Sequence, residues 1–271
     1  MVTNAIDREA VLRGWQLVPS IADNNWQPAP SHTELPADEV HVWRVALDRF
    51  GACNGSRLDE LSEAEHLRAS RFRFAADRKR FLGSHTALRS ILATYLDAAP
   101  RTLEFGEGLH GKPLLRAPLH GAALRFSLTH SGSLALVAVT RGREVGVDIE
   151  HVRPVKDVLG VAASFFSPKE RDALARIAQD YRLRAFLATW VLKEAYLKAC
   201  GEGLLRSPNA FDVTIEDNPR LLQVRDRPGD ETRWSLRYLD AGKEFVAALA
   251  AEGLGWRPRR WVWSDCRLPN A

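Results

Sequence analysis

Between Arg182 and Cys200 the apolar residues Leu183, Leu187, Trp190, Val191 and Leu197 recur at helical spacing, which predicts a buried helix over 182–200. From Val145 to Glu150 the period changes to two: Val145, Val147 and Ile149 alternate with Gly146, Asp148 and Glu150, as a strand requires. The same two periods predict further strands at 40–47, 123–140, 210–216, 233–239 and 244–251, and helices at 62–74, 77–97, 155–165 and 168–179. Glycine and proline make 106–121 a loop or an irregular hairpin. Residues 1–39 carry scattered prolines without a clear period and read as a loosely attached extension, in which Trp15 and Trp26 point to some packing.

Four segments recur at one offset of 105 residues: Val40-His-Val42 with Val145-Gly-Val147, Leu61-Ser62-x-x-Glu65 with Phe166-Ser167-x-x-Glu170, Phe81-Leu82-x-Ser84 with Phe186-Leu187-x-Thr189, and Leu92 with Leu197. A shared register implies a duplication, so the expected fold is α+β, with two similar halves at 40–144 and 145–271 after the extension. Ser62 and Ser167 read as N-caps with Glu65 and Glu170 at the third helical position, and Pro168 suits a first turn. The duplication does not extend to the acids. At the same offset Asp148, Glu150 and Glu194 correspond to Trp43, Val45 and Arg89.

Those acids are the candidate chemistry. Glu194 falls in the middle of an apolar stripe, where a carboxylate loses hydration and takes up a proton unless a cation faces it. Asp148 and Glu150 share one strand face about 7 Å apart. If strand and helix meet, the three make an oxygen-rich site for a hard divalent ion, best magnesium, which keeps waters and completes its shell with substrate phosphate. A D-x-E pair on a strand also suits a solvated surface, and Lys198, one turn after Glu194, could pair with it, though weakly. The basic run Arg68, Arg71, Arg73, Arg78, Lys79, Arg80 and Arg89 in the first half reads either as a solvated helix surface or as a positive face.

Composition narrows the classes. In 271 residues, 45% are hydrophobic and 27% charged, which is globular usage, and no run approaches the length of a membrane span. The N-terminus has acids where a signal peptide would be apolar, so a cytoplasmic protein is expected. Cys53, Cys200 and Cys266 are too few and too scattered for a disulfide framework or a zinc cluster, and read as free thiols. A net charge of +4, mostly from arginine, favours anionic partners; it suits phosphate recognition and equally reflects base composition. Three functions fit so far: metal-assisted phosphoryl-group transfer, a metal-dependent phosphohydrolase, and a basic nucleic-acid-binding module, the last without a recognisable motif.

Taken in order, Gly111-Lys-Pro113, Phe126-Ser-Leu-Thr-His-Ser131, Gly146-Val-Asp-Ile-Glu150, Phe165-Phe-Ser-x-x-Glu170 and Trp190-x-x-Lys-Glu-Ala-Tyr-x-Lys198-Ala-x-Gly-x-Gly203-Leu resemble the motifs of the 4'-phosphopantetheinyl transferases. The two-half layout is similar to the single-chain, pseudo-dimeric, surfactin-synthetase-activating type. That resemblance implies a monomer with a pseudo-twofold axis and its site between the halves. It implies coenzyme A as substrate, transfer of the phosphopantetheine arm to a serine of an apo-carrier protein in fatty acid, polyketide or nonribosomal peptide synthesis, and release of adenosine 3',5'-bisphosphate. By the same resemblance Asp148, Glu150 and Glu194 hold magnesium, with Glu150 replaced in some relatives, and Lys198 reaches the diphosphate. Arg80, His130 and Arg68 align with contacts to the 3'-phosphate, where Glu65 stands at a position basic in the best-known relative. Thr129 falls in the same binding motif, and Lys112 and Pro113 lie near the adenine. His130 taken alone reads rather as a satisfied strand-end histidine, and the surrounding Ser-Leu-Thr-His-Ser match turns the reading toward the ligand. Glu170 matches a glutamate that deprotonates the carrier serine, although its capping box explains it without chemistry, and Lys193 is the other candidate base.

Overall fold

The structure, a computed structural model, describes residues 26–30, 33–51, 57–108, 110–116, 123–216 and 218–264; Trp15, Cys53, Cys266 and most of the expected extension lie outside the described residues. Along the chain the elements are β1 (Gln27–Pro28), β2 (Glu39–Ala46), α1 (Glu63–Ser70), α2 (Ala75–Leu96), β3 (Phe105–Glu107), β4 (Pro113–Leu115), β5 (Leu124–Ser131), β6 (Leu134–Arg141), β7 (Val145–His151), α3 (Val158–Phe165), α4 (Pro168–Arg176), α5 (Gln179–Cys200), β8 (Phe211–Val213), β9 (Leu221–Val224), α6 (Asp230–Arg233), β10 (Trp234–Leu239), β11 (Phe245–Glu252) and β12 (Arg257–Trp263). The fold is α+β. One sheet runs β1-β12-β2-β6-β5 and another β10-β11-β7, with two small hairpins, β3-β4 and β8-β9.

Each large sheet is buried on both faces, which is why β6 and β11 are nearly continuous apolar runs. In β6, Ala135, Val137 and Val139 pack with Leu88 and Leu92 of α2, while Leu136 and Ala138 join a second cluster with Val145, Val147 and Ile149 of β7. In β11, Val246, Ala248 and Ala250 pack with α5, while Ala247, Leu249 and Ala251 join that same central cluster. The core is therefore layered as helix, sheet, sheet and helix. At about 25 cal/mol per Å² of apolar surface, these three clusters supply the main driving force for folding.

Both capping boxes form, at Ser62 with Glu65 and at Ser167 with Glu170. Each capping glutamate also reaches a cation on the long helix of its own half. Glu65 Oε2 lies 2.7 Å from Arg89 Nε, and Glu170 Oε1 lies 2.8 Å from Lys193 Nζ. A local helix start is thus tied to tertiary packing in the same way in both halves.

Several expected boundaries move. The strand expected at 123–140 is a hairpin, because Gly132 takes φ +57° and turns the chain between β5 and β6. The loop at 106–121 contains the β3-β4 pair. β12 was not expected, and it pairs in parallel with β2, so 257–263 belongs to the sheet of the first half and the division at 145–271 does not describe that sheet. Part of the expected extension is anchored too. Gln27–Pro28 pairs with β12, and Trp26 donates its Nε1 proton to Asp240 O at 2.7 Å.

Candidate active site

The two halves meet along a seam between β5 and β7 that is made by side chains. Ser127 Oγ accepts the Val147 amide at 3.1 Å and Ser131 Oγ accepts the His151 amide at 3.0 Å. The same face of β5 reaches the acids: Thr129 donates to Asp148 Oδ1 at 3.0 Å and Ser131 donates to Glu150 Oε2 at 3.0 Å. Alternate polar residues on an otherwise apolar strand therefore dock one half on the other and orient two of the predicted acids.

From the other side α5 lies directly on β7 at Gly146. A Cβ there would stand 2.0 Å from Ala195 O and 2.3 Å from Ala199 N, so only glycine permits this approach. The contact brings Lys198 Nζ to 2.6 Å from Asp148 Oδ1 and 3.1 Å from Thr129 Oγ1. Glu194 lies one turn earlier on the same face. Its Oε1 and Asp148 Oδ2 are buried without a hydrogen-bond partner. Burial raises the pKa of Glu194 and of Glu150, and the charge of Asp148 raises both further.

These atoms suit a hard divalent ion. Two buried carboxylate oxygens lack donors, and the neighbouring acids repel one another, as carboxylates do where a cation completes them. Among the described residues no three acidic, histidine or cysteine side chains are already drawn into a ligand cluster. Carboxylate oxygens of this kind suit an ion that keeps water and substrate oxygens in its shell, the habit of magnesium.

A cleft of about 1130 Å³ opens beside this cluster, lined by Arg68, Arg101, Lys112, Pro113 and Arg116, and by Lys198 from the second half. That is large enough for a nucleotide-sized ligand. Arg68 sits over the Phe81 ring at 5.2 Å. Arg80 pairs with Asp77 at 2.8 Å outside the lining, yet its charge acts on His130. His130 has its pKa lowered, first by burial and then by the charges of His85, Lys198 and Arg80.

Lys112, Glu170 and Lys193 have partners in the structure that the sequence did not show. Lys112 is not free to meet a ligand with its ammonium, because its three donors reach Glu144 Oε2 at 2.7 Å, Val145 O at 3.1 Å and Ala199 O at 3.0 Å. Its loop still lines the cleft and is clamped to the end of α5. Glu170 and Lys193 are enclosed in the core, away from the cleft. Lys193 also donates to Pro208 O and Phe211 O, and Glu170 accepts the Val213 amide. Burial lowers the pKa of Lys193, against the pull of Glu170. The two form a buried ion pair, and Lys193 is turned about 100° around the helix from Glu194. Lys193→Ala is expected to destabilise the protein by about 3–5 kcal/mol, since it leaves a buried carboxylate unpaired. Urea unfolding measures this, and the folded fraction should keep its affinity for nucleotide; an unchanged midpoint would refute the assignment.

Cleft residues that the sequence did not suggest include Arg101, Arg116, His110 and His85. Only the basic excess of the first half pointed toward them. Among the described residues no helix is long and apolar enough to cross a membrane.

Residues 144–250 match the family model described as the 4'-phosphopantetheinyl transferase superfamily, and residues 55–142 match that described as 4'-phosphopantetheinyl transferase, N-terminal. The 4'-phosphopantetheinyl transferase HetI of Nostoc sp. is 36% identical over 238 residues, covering 88% of this chain and 98% of that protein. A 4'-phosphopantetheinyl transferase of Bacillus subtilis is 27% identical over 78% of this chain and 92% of its own length. A phosphopantetheinyl transferase of Thraustochytrium sp. is 26% identical over 80% of each chain.

Proposed function

We propose, from the premise that this chain belongs to the 4'-phosphopantetheinyl transferase superfamily, that it moves the 4'-phosphopantetheine arm of coenzyme A to a serine hydroxyl of an apo-carrier protein. The observation that carries the reading is the meeting of Asp148, Thr129 and Lys198, with two unpartnered carboxylate oxygens beside them, at the end of a nucleotide-sized cleft. Adenosine 3',5'-bisphosphate is the leaving product. The chain acts as a monomer whose halves are related by a pseudo-twofold axis, in the cytoplasm.

Asp148 and Glu194 would hold magnesium, with Glu150 alongside and oriented by Ser131. When bound, the ion neutralises diphosphate charge and stabilises the leaving group. Lys198 supplies a point charge at a diphosphate oxygen, and Thr129 holds Lys198 and Asp148 in register. Arg68 lines the cleft and places positive charge toward the rest of the nucleotide, and His130 and Arg80 are assigned to the same end. Pro113 and the backbone of the Lys112 loop shape the wall of the cleft. Because the acceptor is a protein hydroxyl, the cleft must hold the diphosphate still while the serine attacks its β-phosphorus in line.

Incubation of the protein with coenzyme A, magnesium and several apo-carrier proteins tests this by intact mass spectrometry. One phosphopantetheine unit is expected on the carrier serine, with no breakdown of coenzyme A when the carrier is omitted. Rapid coenzyme A cleavage without carrier would instead establish a phosphohydrolase, and unmodified carriers throughout would refute the transfer.

A further inference from the structure

We propose that the exposed corner between α1 and α2 is the docking surface for the carrier protein, and that it receives an apolar face bordered by carboxylates. The inference rests on the functional reading above and names the surface from which the acceptor serine is presented to the cleft. Leu67, Phe72 and Phe74 are 56%, 38% and 60% exposed, and among the described residues these two phenylalanines are the only exposed phenylalanine, tyrosine or tryptophan side chains. None of the three lines the cleft, so the nucleotide does not cover them. Large apolar side chains gathered at one place and rimmed by polar ones mark a surface that another molecule covers.

The rim is strongly positive. From Leu67 to Arg80 the chain carries six cations, Arg68, Arg71, Arg73, Arg78, Lys79 and Arg80, against one acid, Asp77, which pairs with Arg80. Arg71, Arg73 and Arg78 are exposed, and among the described residues none of them joins an ion pair. Arg73 lies over the Phe74 ring at 5.4 Å, which puts charge and apolar surface side by side. Helix formation does not ask for this arrangement. Phe74 occupies the N-cap of α2 without a side-chain cap bond, where Ser, Thr, Asp or Asn would satisfy an orphan amide.

Placement selects the occupant. Leu67 follows Ala64 by one turn of α1, and Ala64 lines the cleft. Phe72 packs on the buried Phe81 with ring centroids 5.3 Å apart, and Phe81 packs on His85, which also lines the cleft. The patch thus continues the cleft wall onto the outer surface. A protein that delivers a hydroxyl to the diphosphate must pass this rim, so a carrier seated on it holds its serine at the mouth. The cations steer an acidic partner inward, and the two rings give it an apolar anchor. A second copy of this chain would bring the same cations against each other, which disfavours self-association through the patch.

Steady-state kinetics of the intact protein with coenzyme A, magnesium and an apo-carrier protein that the parent modifies test the assignment. Phe74→Ser is expected to raise the KM for the carrier by roughly tenfold, with kcat at saturating carrier and the calorimetric Kd for coenzyme A within about twofold of the parent. Because serine caps α2 where phenylalanine does not, this variant should melt at or above the parent, which separates lost docking from misfolding. The double variant Arg71→Glu with Arg73→Glu should raise the carrier KM at least as far and remove most of its dependence on salt. Replacing acidic residues of the carrier by lysine should then restore part of the loss in the double variant while weakening the parent. An unchanged carrier KM in both variants, or an equal loss of coenzyme A affinity, would overturn the assignment. So would a parent that sediments as a dimer and becomes monomeric in Phe74→Ser, or one whose charge variant releases anionic vesicles or an oligonucleotide but not the carrier. Modification of carriers with unchanged KM in the variants sinks the docking surface alone, and a parent that modifies no carrier sinks the transfer reading and the surface with it.

Discussion

Gly146→Ala is expected to remove the folded, active protein almost entirely. The added methyl would stand 2.0 Å from Ala195 O and 2.3 Å from Ala199 N, both backbone atoms of α5. Ordinary overpacking in a core costs about 1–3 kcal/mol because side chains give way. Here a helix backbone must move off a strand, and neither can yield alone. Gly83 provides the comparison: a methyl there would meet Phe50 Cγ at 3.0 Å and Leu47 Cδ2 at 3.2 Å, both side-chain atoms, so Gly83→Ala should be milder. Any survivor of Gly146→Ala would also carry its lesion at the site, since α5 sets the 2.6 Å distance from Lys198 to Asp148. Soluble yield, thermal melting and carrier modification measure the outcome. A variant that melts within a few degrees of the parent and turns over normally would show that α5 does not bear on β7 as described.

The acids were legible in the sequence for a reason that is only partly sound. Glu194 stood out because it interrupted an apolar stripe, yet α5 is buried around most of its circumference, from Ala185, Phe186 and Leu187 to Tyr196, Leu197 and Ala199. Such a helix has no unique stripe. Its fully buried charge is the neighbouring Lys193, and Glu194 stands at the margin. Only the 105-residue offset between Glu65 and Glu170 hinted that a capping glutamate might have a second, tertiary partner. Strand β12 was hidden because Arg257, Arg259, Arg260 and Pro258 mask its period, and a parallel pairing across more than 200 residues leaves no local signal. The hold on Lys112 was hidden for a related reason. Motif position placed its loop at the cleft, but the destination of its ammonium is decided by Glu144 and the end of α5, which sequence order does not bring near. The seam was more accessible. Ser127, Thr129 and Ser131 at period two, inside an apolar strand, are a polar face that needed partners.

Asp148→Asn and Glu194→Gln should each reduce carrier modification by at least on the order of 100-fold, because charge stabilisation at a phosphoryl centre is lost with either oxygen ligand. Stability separates this effect from misfolding, and the sign can be worked out. The folded pKa values of Glu150 and Glu194 are raised, first by burial and then by the Asp148 charge, so the folded chain binds protons more tightly than the unfolded one at these sites. Their contribution to stability is therefore greatest at low pH and falls as pH rises from the unfolded carboxylate value, about 4.3, through the folded values. Magnesium needs the ionised carboxylates, so it should relieve this penalty most where it is largest. Melting measured in chelator and in millimolar magnesium should coincide near pH 4.5 and separate progressively toward pH 7. Asp148→Asn removes the charge that raises both neighbours, so its chelated form should melt at or above the parent at neutral pH while gaining little from magnesium. A gain from magnesium that is the same at pH 4.5 and pH 7, or that persists undiminished in Asp148→Asn, would place the ion elsewhere and remove these acids from the site.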